Sequence, residues 1–243
     1  MHIVIFGANG VTGRLLTRRA LDAGHSAIAV TRQPDDFPIT DPRLTIAGAD
    51  VRRDGLAGIV AGADAVLSTL GVPFTRRPVD TYSVGTRNIV NAMREASANR
   101  LVVVSSTGAQ PARGRRDAPL ALRLFEPIIA HTIGKTVYGD IREMEALVRD
   151  SRLDWTIVRP SGLFDLPRVT NYLAGEVEPV GAFTARTDLA DYLVKLAEDG
   201  AARRKTVVVS TTEHTPTVWE MIRREAFKSA PPHTPGRTSS PTV

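Results

Sequence analysis

Residues 6–16 read Phe6-Gly7-Ala8-Asn9-Gly10-Val11-Thr12-Gly13-Arg14-Leu15-Leu16, or FGANGVTGRLL. The run Ile3-Val4-Ile5-Phe6 ahead of it is apolar throughout, and Leu15, Leu16, Ala20 and Leu21 behind it recur at helical spacing. The glycines at 7, 10 and 13 therefore fall on a strand-to-helix junction. There Gly7 permits a tight turn, Gly10 a close backbone approach to a pyrophosphate, and Gly13 close packing of helix on sheet. The helix N-terminus adds open amides and partial positive charge. Glycines alone mark turns, but these lie inside a strand–helix–strand unit ending at Val30, the context of a dinucleotide-binding loop.

The same alternation continues along the chain. Strands are expected at residues 2–6, 27–30, 44–47, 65–69, 101–105, 155–159 and 206–210, several of them continuous β-branched runs of the kind buried on both faces. Helical spacing appears over 11–23, over 79–98 (Val84, Ile89, Val90, Met93) and over 138–150 (Ile141, Met144, Leu147, Val148). A further helix runs through Leu189, Tyr192, Leu193 and Leu196 with Asp188 as its N-cap. These elements predict an α/β chain: a doubly wound, Rossmann-type parallel sheet with helices on both faces. One NAD(P)-binding domain is expected over residues 1–228. Residues 163–186 form a small substrate cap at the mouth of the sheet, and 229–243, rich in Pro, Ser and Thr, form a disordered tail.

Composition narrows the chemistry. The chain has 243 residues, 42% apolar and 23% charged, with a net charge of +5. The absence of cysteine removes disulfides, thiolate metal sites and Cys nucleophiles. His2, His25, His131, His214 and His233 are scattered without metal-ligand spacing, so no metal is expected. No apolar run reaches membrane-spanning length and no secretory layout opens the chain, so a cytoplasmic location without membrane contact is expected. The clusters Arg113-Gly114-Arg115-Arg116 and Arg203-Arg204-Lys205 are short and lack interleaved aromatics, which argues against nucleic-acid binding. No serine nucleophile elbow or phosphate-loop lysine is present.

The end of the second strand addresses cofactor choice. NAD-binding chains usually carry an acid there for the ribose hydroxyls, whereas this chain reads Val30-Thr31-Arg32-Gln33. Arg32 is placed to make charge-assisted bonds to a 2′-phosphate, with Arg14 as a second clamp, so NADP(H) is expected over NAD(H).

Taken in order, these motifs resemble the atypical short-chain dehydrogenase/reductases, in particular the NAD(P)H-binding NmrA-like group that includes biliverdin reductase B-like flavin reductases. The resemblance covers about residues 1–210. GANGVTG matches the group's glycine motif, Ala49-Asp50-Val51 the acid that approaches the adenine, and Leu70-Gly71 the turn beside the adenosine ribose. Ser105-Ser106-Thr107 matches the strand end facing the nicotinamide, and Trp155-Thr156-Ile157-Val158-Arg159-Pro160-Ser161-Gly162 the strand and turn beneath its ring. The resemblance implies cofactor contacts at Gly7, Asn9, Gly10, Val11, Thr12, Gly13, Arg14, Arg32, Asp50, Val51, Leu70, Gly71, Ser105 and Pro160.

In the wider superfamily a Tyr-x3-Lys pair does the proton chemistry, the cation holding the ribose and favouring the phenolate. Here the stretch is Tyr138-Gly139-Asp140-Ile141-Arg142, followed by Glu145: arginine stands in place of lysine. Arg142 keeps charge and donors but not the shape of an ammonium. Lys135, three residues before Tyr138, is an alternative cation, and Tyr138 itself also reads as a packed helix residue. Ser106 either holds the substrate oxygen or satisfies the open strand end. His131 lies near the expected site but reads better as a surface residue. Phe125, Phe164 and Phe183 either line an apolar pocket or pack in the core.

The catalytic set implied is thus Tyr138, Ser106 and Arg142, in an NADPH-dependent oxidoreductase passing hydride to a small flat acceptor such as a quinone, flavin or related carbonyl compound. The alternative is a non-catalytic NADP(H)-binding sensor of the NmrA type with a protein partner. A nucleotide-sugar epimerase or dehydratase would be favoured by a lysine at position 142. A monomer or homodimer is expected.

Overall fold

Strands without polar alternation need cover on both faces, and the chain supplies it with helices. The structure is a computed structural model that describes residues 1–73, 75, 77–110 and 135–216. Its first half runs β1 (His2–Phe6), α1 (Val11–Asp22), β2 (Ser26–Thr31), β3 (Leu44–Gly48), α2 (Ala57–Val60), β4 (Ala65–Ser68), α3 (Thr81–Glu95) and β5 (Arg100–Val104). Then follow α4 (Lys135–Asp150), β6 (Asp154–Pro160), β7 (Gly162–Phe164), β8 (Leu173–Gly175), β9 (Phe183–Ala185), α5 (Arg186–Glu198) and β10 (Lys205–Ser210).

The main sheet has the order β3-β2-β1-β4-β5-β6-β10-β8, and every pairing in it is parallel except that of β8 with β10. It is the expected Rossmann-like α/β sheet. Side chains alternate between its two faces: Val4 and Phe6 of β1 pack with α3 and α4 residues such as Ile89, Met93, Ile141 and Met144, while Ile3 and Ile5 pack with Leu16, Ala20, Leu189 and Leu193 of α1 and α5. The strand order reverses between β1 and β4. In such sheets the crevice at that reversal, beyond the strands' C-terminal ends, is where ligands bind. Among the described residues no helix is long and apolar enough to cross a membrane.

Four expectations change. The helix expected over 79–98 is Thr81–Glu95; Ser97, with φ 58, has already left helical geometry. Residues 163–186, which lack a period, carry three short strands: β7 pairs with β9 in a separate two-stranded sheet, and β8 extends the main sheet. The two readings of Phe164 and Phe183 narrow to packing, since they form a buried edge-to-face pair with centroids 6.2 Å apart.

The fourth concerns Asp188, which is not an N-cap. Ala185 caps α5 from the end of β9, and Asp188 lies buried in the first turn. Its carboxylate accepts from Thr170 N at 2.8 Å, Thr170 Oγ1 at 2.8 Å and Thr211 Oγ1, fastening the β7–β8 segment and the residue after β10 to α5. The expected tail, Phe125, His131 and the Arg113–Arg116 cluster lie outside the described residues.

Candidate functional site

The glycine loop leaves β1 with Gly7 at φ +75, a conformation L-residues rarely adopt. A Cβ there would also stand 2.7 Å from Thr69 O, because Thr69 closes the loop from the end of β4: its N–H and Oγ1 donate to Phe6 O at 2.9 and 3.0 Å. A Cβ on Gly13 would stand 2.2 Å from Gly7 O, so the first turn of α1 can rest on the loop only as glycine. Gly10 differs. Its φ is −68, and the nearest atom to an added Cβ is Gly7 O at 3.4 Å. No contact among the described residues demands a glycine at position 10.

Gly10 is the N-cap of α1, and no side chain caps that helix or places an acid in its first turn. Val11 and Thr12 open it, Val11 being 60% exposed. A helix end with open amides, no capping side chain, no acid in its first turn and a glycine at its N-cap fits a phosphate-bearing ligand. Arg14 lies over this end. Its Nε and Nη2 donate to Asn9 Oδ1 at 2.9 and 2.7 Å, a fork that holds the loop's one amide side chain.

Beyond the loop, on the β2–β3 side, Arg32 follows β2, is exposed, and makes no hydrogen bond or ion pair with any described residue. Asp50 follows β3, accepting from Arg52 N at 3.0 Å. Val51 is buried and its carbonyl accepts from Asn88 Nδ2 at 2.9 Å. A Cβ on Gly85 of α3 would stand 2.9 Å from Val51 Cγ2 and 3.2 Å from Leu70 Cδ1, so this glycine lets Val51 and Leu70 meet against the helix. Gly71 is exposed next to Leu70, and the buried Tyr82 Oη accepts from Val72 N at 3.2 Å, tying that turn to α3. The structure thus brings Asp50, Val51, Leu70 and Gly71 around the ends of β3 and β4.

On the β5–β6 side, Ser106 caps a short 3₁₀ turn over Thr107–Ala109, its Oγ accepting from Gly108 N at 3.1 Å. The Tyr138 ring lies on that turn: a Cβ on Gly108 would stand 2.6 Å from Tyr138 Cζ and 2.7 Å from Oη. Arg142, one turn further along α4, donates from Nη1 to Ala109 O at 3.4 Å. Tyr138, Arg142 and the Ser106 turn are therefore neighbours. Gly108→Ala is expected to push the ring out of place and to cost about 1–3 kcal/mol in urea unfolding, as overpacking does.

Beneath this turn Ser105, expected as a cofactor contact, joins Glu145 and Arg159, to which the sequence assigned no role, in one cluster. Ser105 Oγ donates to Glu145 Oε1 at 2.6 Å, and Arg159 Nε donates to the same oxygen at 2.8 Å. Arg159 Nη2 reaches Glu145 Oε2, which also accepts from Arg149 Nη2 at 2.8 Å. Ser105, Glu145 and Arg159 are all buried. Burial pushes the Glu145 carboxyl up, but the hydrogen bonds from Arg159 and Ser105, the Arg159 charge and the Arg149 bond outweigh it and hold the group below its ordinary value.

Pro160, the residue after Arg159, ends β6 buried and opposite Val209 of β10. Asp140, also unassigned from sequence, is buried and accepts from Tyr82 N and Ser83 N at 2.8 and 3.1 Å, so α4 caps the start of α3. The sequence carries a signal for Glu145: a carboxylate on the apolar face of α4, and an arginine directly after Ile157 and Val158 in a strand, can be buried only together.

Among known proteins, an uncharacterized chloroplastic protein of Arabidopsis thaliana is 31% identical over 183 residues, covering 70% of this chain and 61% of its own length. The chain spans only 17% of the length of an uncharacterized Mycobacterium bovis protein that it matches at 32% identity over 150 residues. The oxidoreductase ylbE from Lactococcus lactis superposes with a TM-score of 0.72 at 18% identity, over 96% of this chain and 100% of that one. A short-chain dehydrogenase/reductase from Veillonella parvula in complex with NADP superposes with a TM-score of 0.70 at 21% identity, over 87% and 95%. The model of one NAD(P)H-binding family matches residues 7–200, from inside the glycine loop to the end of α5, and the chain belongs to that family.

Proposed function

We propose that this chain is an NADPH-dependent oxidoreductase that passes hydride to a small, flat acceptor such as a quinone, a flavin or a related carbonyl compound. The observation that carries the reading is the glycine loop: Gly7 and Gly13 are required by the protein's own contacts, whereas Gly10, the N-cap of a helix end that no side chain caps, keeps its backbone open to a ligand that comes close. Family membership and the NADP bound to a structural relative support the same reading.

A dinucleotide whose phosphates rest on α1 at the β1–β4 reversal extends its adenosine half toward β2 and β3 and its other half toward β5 and β6. Arg32, without a partner among the described residues, would meet a 2′-phosphate, and Arg14 would stand beside it once released from Asn9. Asp50, Val51, Leu70 and Gly71 would border the adenosine. When bound, the nicotinamide supplies hydride, and the protein's part is to orient the acceptor and exclude water. Tyr138 would hold a proton at Oη for the acceptor oxygen, with Arg142 lending charge from the next turn. A reduced quinone or flavin can also take its proton from water, so the missing lysine does not forbid turnover. Residues 163–186 would border the acceptor.

NADPH oxidation against a panel of quinones and flavins, with NADH in parallel, tests this. Arg32→Ala should weaken NADPH binding by roughly 10- to 100-fold, the loss of one charge-assisted hydrogen bond of about 1.5–3 kcal/mol, and leave NADH nearly unchanged. Equal loss for both cofactors would remove Arg32 as the 2′-phosphate contact. NADPH binding with no acceptor reduced would favour the sensor reading over the enzyme.

A further inference from the structure

The buried carboxylate of Glu145 joins three elements that each carry a residue of the candidate nicotinamide side. Ser105 comes from the end of β5 and directly precedes Ser106, whose turn supports the Tyr138 ring. Glu145 lies seven residues after Tyr138, two turns along the same face of α4. Arg159 comes from β6 and directly precedes Pro160.

We propose that Glu145 is a positioning residue: by binding Ser105 and Arg159 at once, it fixes the ends of β5 and β6 and the Tyr138–Arg142 helix at the spacing that receives the nicotinamide ring. The inference rests on the dinucleotide-binding reading above. Its physical basis is that the two oxygens of one carboxylate on α4 take three donor groups from two other elements, one from Ser105 and two from Arg159, so none of the three can shift without breaking a charge-assisted bond in a buried place. An apolar residue at position 145 would pack α4 but would leave its height along the sheet unspecified. Arg149, which is 41% exposed on its side chain, shields the outer edge of the cluster rather than joining another element. The adenosine side has no part in this network: Val51 and Leu70 are set by α3.

Binding, not turnover, separates the possibilities. The full chain, Glu145→Gln and Ser105→Ala would be titrated with NADPH and with 2′-phospho-ADP-ribose, which lacks the nicotinamide, and with NADH and ADP-ribose as the pair without the 2′-phosphate. Reduced-nicotinamide fluorescence would report the ring's surroundings. The expected result is that wild type prefers NADPH over the fragment by at least tenfold. Both variants should hold the fragment within about twofold, lose at least fivefold of that preference, and show a nicotinamide emission closer to that of free NADPH.

Ser105→Ala leaves the ion pair intact and so keeps the test valid should Glu145→Gln fold poorly. Variants that keep the full preference overturn the proposal and leave the proposed function standing. So does a wild type that binds NADPH and its fragment equally. A parallel loss of both ligands marks the network as structural only and also overturns it. A wild type that binds none of the four ligands overturns the proposed function itself, and this inference with it.

Discussion

Gly13→Ala is expected to abolish dinucleotide binding and to lower thermal stability together, whereas Gly10→Ala should lose binding and keep its stability. The added methyl at position 13 would meet Gly7 O at 2.2 Å and Ala8 Cα at 2.7 Å, both backbone atoms with no freedom to step aside. The first turn of α1 must then lift from the loop that it frames. Overpacking of this kind costs about 3 kcal/mol or more when backbone has to move, which is roughly 6–12 °C of melting temperature for a chain of this size. At position 10 an added Cβ finds only ordinary contact at 3.4 Å and an extended backbone at φ −68. Alanine is a poorer N-cap than glycine but restricts the unfolded chain; these effects oppose each other and each is about 1 kcal/mol or less. Only a ligand resting on the Gly10 backbone would object to the methyl, and the loss should exceed tenfold in NADPH affinity, about 1.4 kcal/mol. Melting curves and NADPH titrations on both variants check the pair. Unchanged affinity in Gly10→Ala would remove the pyrophosphate from this loop.

The sheet could be read from sequence because its central strands are apolar without a break, and a strand with no polar face has to be buried on both sides. The glycine loop could be read because 7, 10 and 13 fall where a strand stops and a helix begins. What failed has a common cause, which is dependence on partners remote in sequence. Asp188 precedes an apolar helical run and so reads as a cap, but its actual partners, Thr170 and Thr211, lie 18 and 23 residues away and pull it into the first turn. β7, β8 and β9 have three residues each, too few to show a period of two. Phe164 and Phe183 read equally as pocket or core, and only the pairing of β7 with β9 sets them edge to face in a packed cluster. At Ser106 the sequence allows either a substrate contact or a turn cap, and the hydrogen bond from Gly108 supplies the second without removing the first. Glu145 is the largest omission, since its partners come from two different strands.

That same carboxylate sets the second large effect. Glu145→Ala is expected to destabilise the protein by about 3–5 kcal/mol at neutral pH, because Arg159 would remain buried with its charge unmet. Glu145→Met with Arg159→Met should recover most of that loss, since two well-packed thioether chains leave no buried charge to solvate. The acid side of the stability curve carries the same information. Glu145 sits below its ordinary value in the folded protein, so its contribution is complete above the unfolded-state value of about 4.3 and disappears as pH falls through the lower, folded one. Urea unfolding between pH 7 and pH 3 should therefore show a shallower acid limb in the double variant than in wild type. Some slope will persist from Asp191: burial raises its carboxyl, but bonds from Lys195, Tyr172 and Arg19 lower it further, and the double variant leaves these untouched. If the double variant kept the full acid slope, or if Glu145→Ala cost less than about 1 kcal/mol, within the range of an exposed ion pair, the pair would not be behaving as a buried one.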